Sequence, residues 1–372
     1  MVDRAWRYIQ FPPFSRETSR PVPGGSIIGG MFGLESTLQP QELPPPFLTD
    51  RDVLLANGRC GIWLLVNRLR PRQVWVPSYL CREGILEAID PKVTVARFFE
   101  IDYNLKVRSH QWVSEVASGD LVIFIDYFGF PYDRQLAAEV KGRGAWVLED
   151  ACQALLSGHV GVYSDFVLFS VVKWIGAPDG GILRFPESIP VSGISLKTPA
   201  TTWCLKALEA SVLRREFDDG LPTRERWFKL FREKEDTMPL GPYAMSQLSQ
   251  GIMNSSVDYS LIAERRVDNY GMLLERLAQY AIFPRIEPDV VPLGFPVRVA
   301  NRDAVRKALF EHQIYPAVHW SIDGVTPGEY EDSHRLSRHI MTLPCDQRYG
   351  PEDMERIAEV FLESLIEQAP VC

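Results

Sequence analysis

Two segments of the chain place reactive side chains directly after short apolar runs. Glu149, Asp150 and Gln153 follow one run, and Lys173 stands three positions after Ser170 at the end of another. An acid at a strand end often only caps the next helix, and a lone lysine there is usually a surface group. Lys173, however, lies between two apolar residues, and apolar surroundings lower the pKa of an ammonium group and make the amine a usable nucleophile.

A third segment, residues 57–61, opens a predicted helix, with Gly58, Arg59 and Cys60 in its first turn. Small residues at a helix start let backbone N–H groups approach an anion, and the helix dipole favours the negative charge. A glycine at a helix start is a weak signal by itself. The combination of this helix start with an acid and a lysine at strand ends is more specific. Pyridoxal phosphate needs N–H donors and a hydroxyl for its phosphate, a carboxylate for its ring nitrogen and an amine for its aldehyde. The sequence therefore predicts a pyridoxal-phosphate site.

The elements that would position these residues alternate between strands and helices. Helices are predicted at 59–69 and 134–143. Short apolar runs, rich in β-branched or aromatic residues, predict buried strands at 74–76, 93–99, 121–125, 145–148, 166–169 and 181–185. This alternation predicts a largely parallel sheet with helices on both faces, which binds ligands at the carboxyl ends of its strands. Adjacent strands lie about 4.8 Å apart, so Asp150 and Lys173 could face one bound ring.

The rest of the chain predicts an appendage to this sheet. Residues 224–236 are charged with interleaved aromatics, which predicts an amphipathic helix. Further helices are predicted at 258–280, 302–312 and 352–367, and strands at 295–299 and 318–320. We predict an extended N-terminal arm over 1–50, a large α/β domain over 51–240 and a small α+β domain over 241–372.

Composition and charge exclude several classes of protein. The 372 residues include 40 Lys and Arg against 48 Asp and Glu, and the net charge of −8 argues against a general binder of nucleic acid or anionic membranes. No run approaches the roughly 18 apolar residues of a membrane helix, and the N-terminus lacks a signal-peptide core. We expect a cytoplasmic protein.

The cysteines show no sign of a metal site or a disulfide framework, because none of them forms a CxxC pair. The six positions are Cys60, Cys81, Cys152, Cys204, Cys345 and Cys372. The sequence therefore predicts no metal.

Several motifs along residues 50–370 resemble one known family. The motifs are Val76-Pro77-Ser78-Tyr79, Tyr127-Phe128-Gly129, Glu149-Asp150-Ala151-Cys152-Gln153-Ala154, Gly161 with Asp165-Phe166, Phe169-Ser170 with Lys173, Asp179-Gly180-Gly181, Arg265-Arg266 with Asn269-Tyr270, and Leu343-Pro344 with Pro351-Glu352-Asp353. The chain resembles a divergent member of the nucleotide-sugar aminotransferases of the DegT/DnrJ/StrS type. The resemblance implies an α/β fold, the PLP-dependent transferase fold type I, with a large, mostly parallel, seven-stranded sheet domain and a small C-terminal α+β domain.

The resemblance also implies roles for the residues named above. Lys173 would form the Schiff base with the cofactor, Asp150 would bind its ring nitrogen, and Gln153 would lie near the ring oxygen O3′. The phosphate would be held by Ser170 and by the helix start at Gly58, mainly through the backbone of Arg59 and Cys60.

Three features differ from the family pattern. The family's small Ser-Gly-Thr-Ala phosphate cradle is Asn57-Gly58-Arg59-Cys60 in this chain. Two residues separate Ser170 from Lys173, whereas the sugar aminotransferases usually have four. The aromatic residue that stacks on the cofactor ring aligns with Cys81, which leaves Tyr79 as the candidate substitute.

The substrates would be an amino-acid donor and a keto acceptor, such as a nucleotide-linked ketosugar. An arginine fork suits a donor carboxylate, and Arg298 on a predicted strand is the candidate, although it could be a surface arginine. His319 is a weaker candidate, since a lone histidine is more often structural. The resemblance implies a homodimer. Alternatives are another reaction with the same cofactor, such as a lyase or desulfurase, and a non-catalytic protein that retains the fold.

Overall fold

The computed structural model describes residues 27–36, 44–255 and 257–367. The strands are β1 (Ile28–Gly29), β2 (Asp52–Leu55), β3 (Gln73–Pro77), β4 (Val95–Phe99), β5 (Leu121–Ile125), β6 (Trp146–Asp150), β7 (Phe166–Ser170), β8 (Gly181–Arg184), β9 (Phe295–Arg298), β10 (Ile314–Tyr315) and β11 (Ile340–Leu343). Most of the predicted arm, residues 1–26 and 37–43, lies outside the described residues, as does Cys372. The domain boundaries at residues 50 and 240 stay predictions.

The helices begin and end close to the predicted positions where the apolar periodicity is clear. They are α1 (Gly58–Leu69), α2 (Arg134–Gly142), α3 (Thr201–Asp218), α4 (Arg224–Asp236), α5 (Gln247–Met253), α6 (Tyr259–Leu277), α7 (Arg302–Glu311), α8 (Glu331–His339) and α9 (Pro351–Glu367). In the part of the chain that the structure describes, no helix combines the length and the apolar character that crossing a membrane requires.

A seven-stranded sheet with the strand order β2-β8-β7-β6-β5-β3-β4 forms the centre of the molecule. Strands β3 to β7 pair in parallel, and β8 runs antiparallel to both β7 and β2. All residues of β5 and β7 are buried, as continuous apolar runs between two covering layers require. The predicted mostly parallel α/β sheet is confirmed.

The parallel strands bring the predicted site residues to one edge of this sheet. Asp150 ends β6, Ser170 ends the neighbouring β7, and Asp150 pairs with Leu168 across them. Strand β2 runs in the same direction, so the start of α1 at Gly58 follows it at this edge. Helix α1 packs against β7 and β8.

The C-terminal part contains two small sheets, one antiparallel (β9 with β11) and one parallel (β1 with β10). The predicted strand at 318–320 is wrong. The neighbouring backbone pairs at Ile314–Tyr315 and through a single bridge from Ala317 to Thr342 instead. Val318 and Trp320 are buried because their side chains enter the core, where Trp320 packs against the ring of Tyr79 at 5.6 Å.

Residues 27–36 connect this C-terminal part to the seven-stranded sheet. Strand β1 pairs with β10, and the Leu34 amide then donates to the Ser211 carbonyl of α3 at 2.9 Å. Glu35 exchanges two hydrogen bonds with Gly176, at 3.0 and 2.9 Å. A Cβ atom at Gly176 would lie 1.8 Å from a carbonyl oxygen of this segment, so only glycine permits the contact.

Gly181→Ala is expected to destabilise the chain by roughly 1–3 kcal/mol, the usual cost of forcing an atom into a packed site. An added Cβ would lie 2.3 Å from the Asn57 carbonyl carbon and 2.7 Å from the Gly58 nitrogen, and backbone cannot move aside easily. Urea unfolding measures the change. Gly271→Ala in helix α6 is the matched control, because its Cβ would meet nothing within 4 Å. A loss of stability in the control equal to that of Gly181→Ala would contradict this explanation.

Candidate active site

Asp150 and Lys173 lie at the ends of two neighbouring strands, and Cys152 follows Asp150 by two positions. Lys173 ends a short 3-10 turn, Val171–Lys173, that directly follows β7. Burial raises the pKa of the Cys152 thiol well above its usual value, the Asp150 carboxylate raises it further, and the Lys173 ammonium lowers it. Both charges are therefore close enough to Cys152 to act on its pKa, and the predicted acid and amine follow adjacent strand ends.

The backbone around Lys173 is held by two polar side chains from other elements. The buried Arg266 guanidinium donates to the Lys173 carbonyl at 3.5 Å and lies 4.4 Å from the ring centre of Trp174. Gln347 donates to the Trp174 carbonyl at 2.6 Å, and the Trp174 ring donates to the Cys152 carbonyl at 3.3 Å. The sequence motif Arg265-Arg266 includes Arg266 but predicts no contact with Lys173, and no sequence pattern indicates Gln347.

Gln153 presents an unused hydrogen-bond donor beside these groups. Its Oε1 accepts from the Phe128 amide at 2.7 Å, which settles the orientation of the side chain. Its Nε2 is buried and has no partner among the described residues. An unpaired buried donor costs about 1–3 kcal/mol, and a ring oxygen is an acceptor that would pair with it.

The start of α1 offers fewer donors than the sequence suggests. The Asn57 side chain already accepts from the Cys60 amide at 3.0 Å. The Gly58 and Arg59 amides have no acceptor among the described residues and remain open to an anion. The Arg59 side chain turns away and donates to the Glu83 carbonyl at 2.8 Å. An added Cβ at Gly58 would lie 3.3 Å from the sulfur of Cys152, so this helix start approaches the site closely.

Tyr79 and Cys81, the two candidates for contact with a ring face, lie in different surroundings. The Tyr79 side chain is fully buried, with its ring 5.6 Å from Trp320 and 5.9 Å from Tyr127. Cys81 is partly buried, and its charge acts on the pKa of Cys152. Tyr79 thus packs among aromatic rings, whereas Cys81 is close enough to Cys152 to act on its pKa.

His319 is buried and lies close enough to Lys173 for the lysine charge to act on its pKa. Burial, and then the positive charge of Lys173, lower the pKa of His319 to about 3, so its ring is neutral. Its Nδ1 lies 3.0 Å from the Thr342 hydroxyl, and its ring packs edge-on against Phe128 at 5.5 Å. A neutral imidazole at this position can accept or donate a hydrogen bond without adding a second positive charge near Lys173.

Arg298, at the end of β9, is engaged elsewhere in this structure. Its Nη1 donates to the Tyr103 carbonyl at 3.0 Å and to Asn104 Oδ1 at 2.8 Å. Its guanidinium also lies 4.7 Å from the ring centre of Tyr103. Its role toward a donor carboxylate stays a prediction, and that role would require these contacts to break.

Asp126, Glu149 and His159 form a buried polar cluster that adjoins the backbone of Asp150. One donor atom of each side chain lies within 4.8 Å of the others. Burial raises the pKa of Asp126 to about 7 and that of Glu149 to about 8, and the charge of Asp126 raises the pKa of Glu149 further. Burial lowers the pKa of His159. The Asp126 amide donates to the Asp150 carbonyl at 3.1 Å, so the cluster adjoins the site.

Comparison with known proteins identifies the fold. No protein-family model and no curated protein sequence matches the chain. Solved structures do match, among them the aminotransferase TlmJ from Streptoalloteichus hindustanus, at 18% identity over 85% of this chain and 86% of that one, with a TM-score of 0.62. The sugar aminotransferase CalS13 from Micromonospora echinospora matches at 13% identity over 84% and 87%, with a TM-score of 0.60.

A third match is NtdA from Bacillus subtilis, solved with bound cofactor PMP. It is 13% identical over 85% of this chain and 73% of that one, with a TM-score of 0.61. Identities this low show the fold alone. The chain therefore has the α/β fold of these structures, the PLP-dependent transferase fold type I that its sequence predicts.

Proposed function

We propose that the chain is a pyridoxal-phosphate-dependent aminotransferase. The observation that carries this proposal is that Asp150 and Lys173 follow the ends of two neighbouring strands and that both act on the pKa of Cys152. An acid and an amine placed in this way match the two functional ends of the cofactor's ring. The unpaired Nε2 of Gln153 and the open amides of Gly58 and Arg59 match its ring oxygen and its phosphate.

The similar structures support the same proposal. TlmJ is described as an aminotransferase and CalS13 as a sugar aminotransferase, and NtdA was solved with bound PMP. Their sequence identities are too low for the substrate of any of them to be assigned to this chain. We propose an amino-acid donor and a keto acceptor such as a nucleotide-linked ketosugar, a cytoplasmic location and a homodimer.

Each residue of the site would have one task. When bound, the cofactor supplies an electron sink for the carbon that gains or loses the amine. The Lys173 Nζ would hold the cofactor's aldehyde covalently, and it would move a proton at the reacting carbon once displaced. The Asp150 carboxylate would keep a proton on the ring nitrogen, and Gln153 Nε2 would donate to the ring oxygen. Ser170 and the start of α1 would hold the phosphate.

Glutamate is expected to convert protein-bound pyridoxal phosphate into pyridoxamine phosphate, with release of 2-oxoglutarate. Absorbance and chromatography of the released cofactor measure this half-reaction without any knowledge of the acceptor. Other amino acids are tested in parallel, because the donor is not known. The 2-oxo acid and the amine are expected in equal amounts, since amino transfer conserves nitrogen.

The outcomes separate the alternatives. A lyase or desulfurase would release a fragment of the amino acid and leave the cofactor in its original form. A non-catalytic protein would give neither change. If the chain binds pyridoxal phosphate but none of the amino acids converts it to pyridoxamine phosphate, the aminotransferase proposal is contradicted. If the chain does not bind pyridoxal phosphate, the cofactor is contradicted as well.

A further inference from the structure

Three atoms of the buried cluster (Asp126, Glu149 and His159) have no hydrogen-bond partner among the described residues. They are Asp126 Oδ2 and both ring nitrogens of His159. The side chains that carry them expose 0% and 1% of their surface. Glu149, in contrast, accepts from the Gly161 amide at 2.8 Å and from the Ser164 hydroxyl at 2.6 Å. Buried polar atoms are normally paired, so these atoms are available to a ligand.

The distances suit a metal ion better than a hydrogen bond. His159 Nε2 lies 3.6 Å from Asp126 Oδ2. A hydrogen bond between nitrogen and oxygen would bring them within about 3.2 Å. Two ligands of a tetrahedral zinc ion, each about 2.1 Å from the metal, stand about 3.4 Å apart.

Two carboxyl groups in one buried space also suit a cation, which would hold them ionised there. Asp126 and Glu149 bring two carboxyl groups into one buried space, where uncompensated charge is costly. The nearby guanidinium of Arg134 forms its ion pair with Asp289 instead, at 3.7 Å. The Nδ1 of His159 faces the same Asp289 carboxylate at 3.9 Å. Metal-binding histidines commonly direct their second nitrogen at a carboxylate in this way.

We propose that Asp126, Glu149 and His159 bind one divalent transition-metal ion, such as Zn²⁺, and that the ion stabilises the fold beside Asp150. One imidazole and two carboxylates form a donor set that zinc accepts. The ion would join the loop after β6 to the end of β5 and so hold the backbone of Asp150. The prediction of no metal rested on cysteine spacing, which cannot reveal a site built from carboxylates and a histidine.

Zinc retention by the full chain tests the proposal. The protein is stripped with a chelator, incubated with Zn²⁺ alone, passed through gel filtration and analysed for metal. The wild type is expected to retain one zinc ion per chain, because the three ligands form one site, and His159→Gln is expected to lose it. His110→Gln is the matched control, because His110 also faces two carboxylates, Asp133 at 3.4 Å and Glu139 at 4.0 Å, but is exposed.

A second variant guards against misfolding of the first. Asp289→Asn changes a half-exposed side chain outside the cluster, and it is expected to weaken zinc binding roughly 10- to 100-fold. Co²⁺ gives an independent readout, since its visible bands should appear in the wild type and not in His159→Gln. A wild type that retains no more zinc than His159→Gln and shows no cobalt bands would overturn the proposal. No cofactor is added, so this result is independent of the proposed function.

Discussion

Lys173→Ala is expected to lose both covalent attachment of pyridoxal phosphate and nearly all amino transfer. In the proposed site the same Nζ bonds to the cofactor and moves the proton. A positioned acid–base group contributes roughly 10²–10⁴-fold to a rate, so we expect a fall of at least that size. The wild type is incubated with pyridoxal phosphate and reduced with borohydride, and mass spectrometry of its peptides is expected to place the added mass on Lys173.

Two further variants sharpen this test. Lys173→Arg keeps the positive charge but cannot form the bond, and we expect it to be as inactive as the alanine variant. Lys206→Ala is the control: Lys206 lies on α3 and pairs with Glu233 at 3.1 Å, so its loss should leave the rate unchanged. Added mass on another lysine, or wild-type turnover by Lys173→Ala, would contradict the assignment of the amine.

Asp150→Asn is expected to lower kcat by about 10²–10³-fold, the usual effect of removing one charge-stabilising group from a site. The Asp150 Oδ1 accepts from the Cys152 amide at 3.1 Å, and an asparagine oxygen can keep that bond. The fold should therefore survive, while the ring nitrogen loses its negative partner. We expect kcat to fall and KM for the amino donor to change little, as measured by steady-state kinetics.

The controls for Asp150 separate charge from shape. Asp150→Glu keeps the carboxylate and is expected to recover part of the lost rate. Asp165→Asn removes a carboxylate at the opposite edge of the sheet, where it accepts from the Val147 amide at 2.9 Å, and should leave kcat unchanged. Equal kcat values for Asp150→Asn and the wild type would remove the acid from the mechanism.

The sheet could be predicted from sequence because its strands are continuous apolar runs. Strand β5 has the predicted ends, and β6 and β7 differ from the predictions by only one or two residues. Strand β2 was missed because it is short and begins with Asp52. Helix α8 was missed because it is mostly polar, with Leu336 as its one large apolar buried residue. The run at 318–320 was misassigned because apolar residues that fill a core need not pair as a strand.

The candidate site was predictable only where its residues adjoin a strand end. Asp150 and Lys173 met this condition, since topology brings neighbouring parallel strands to one edge. Asp126 and His159 could not be predicted as neighbours, because a loop without helical or strand periodicity brings the histidine back to the sheet. The orientation of Arg298 depends on a loop at Tyr103 that no local pattern indicates.

The two hydrogen bonds between Glu35 and Gly176 have a mechanical consequence, because Gly176 stands three positions after Lys173. The same ten-residue segment pairs with β10 at its other end. A shift of the C-terminal elements would pull on residues 27–36 and displace the backbone at Gly176, three positions from the amine proposed to hold the cofactor. Alignment of the Lys173 amine is thereby coupled to the position of a strand more than 130 positions further along the chain.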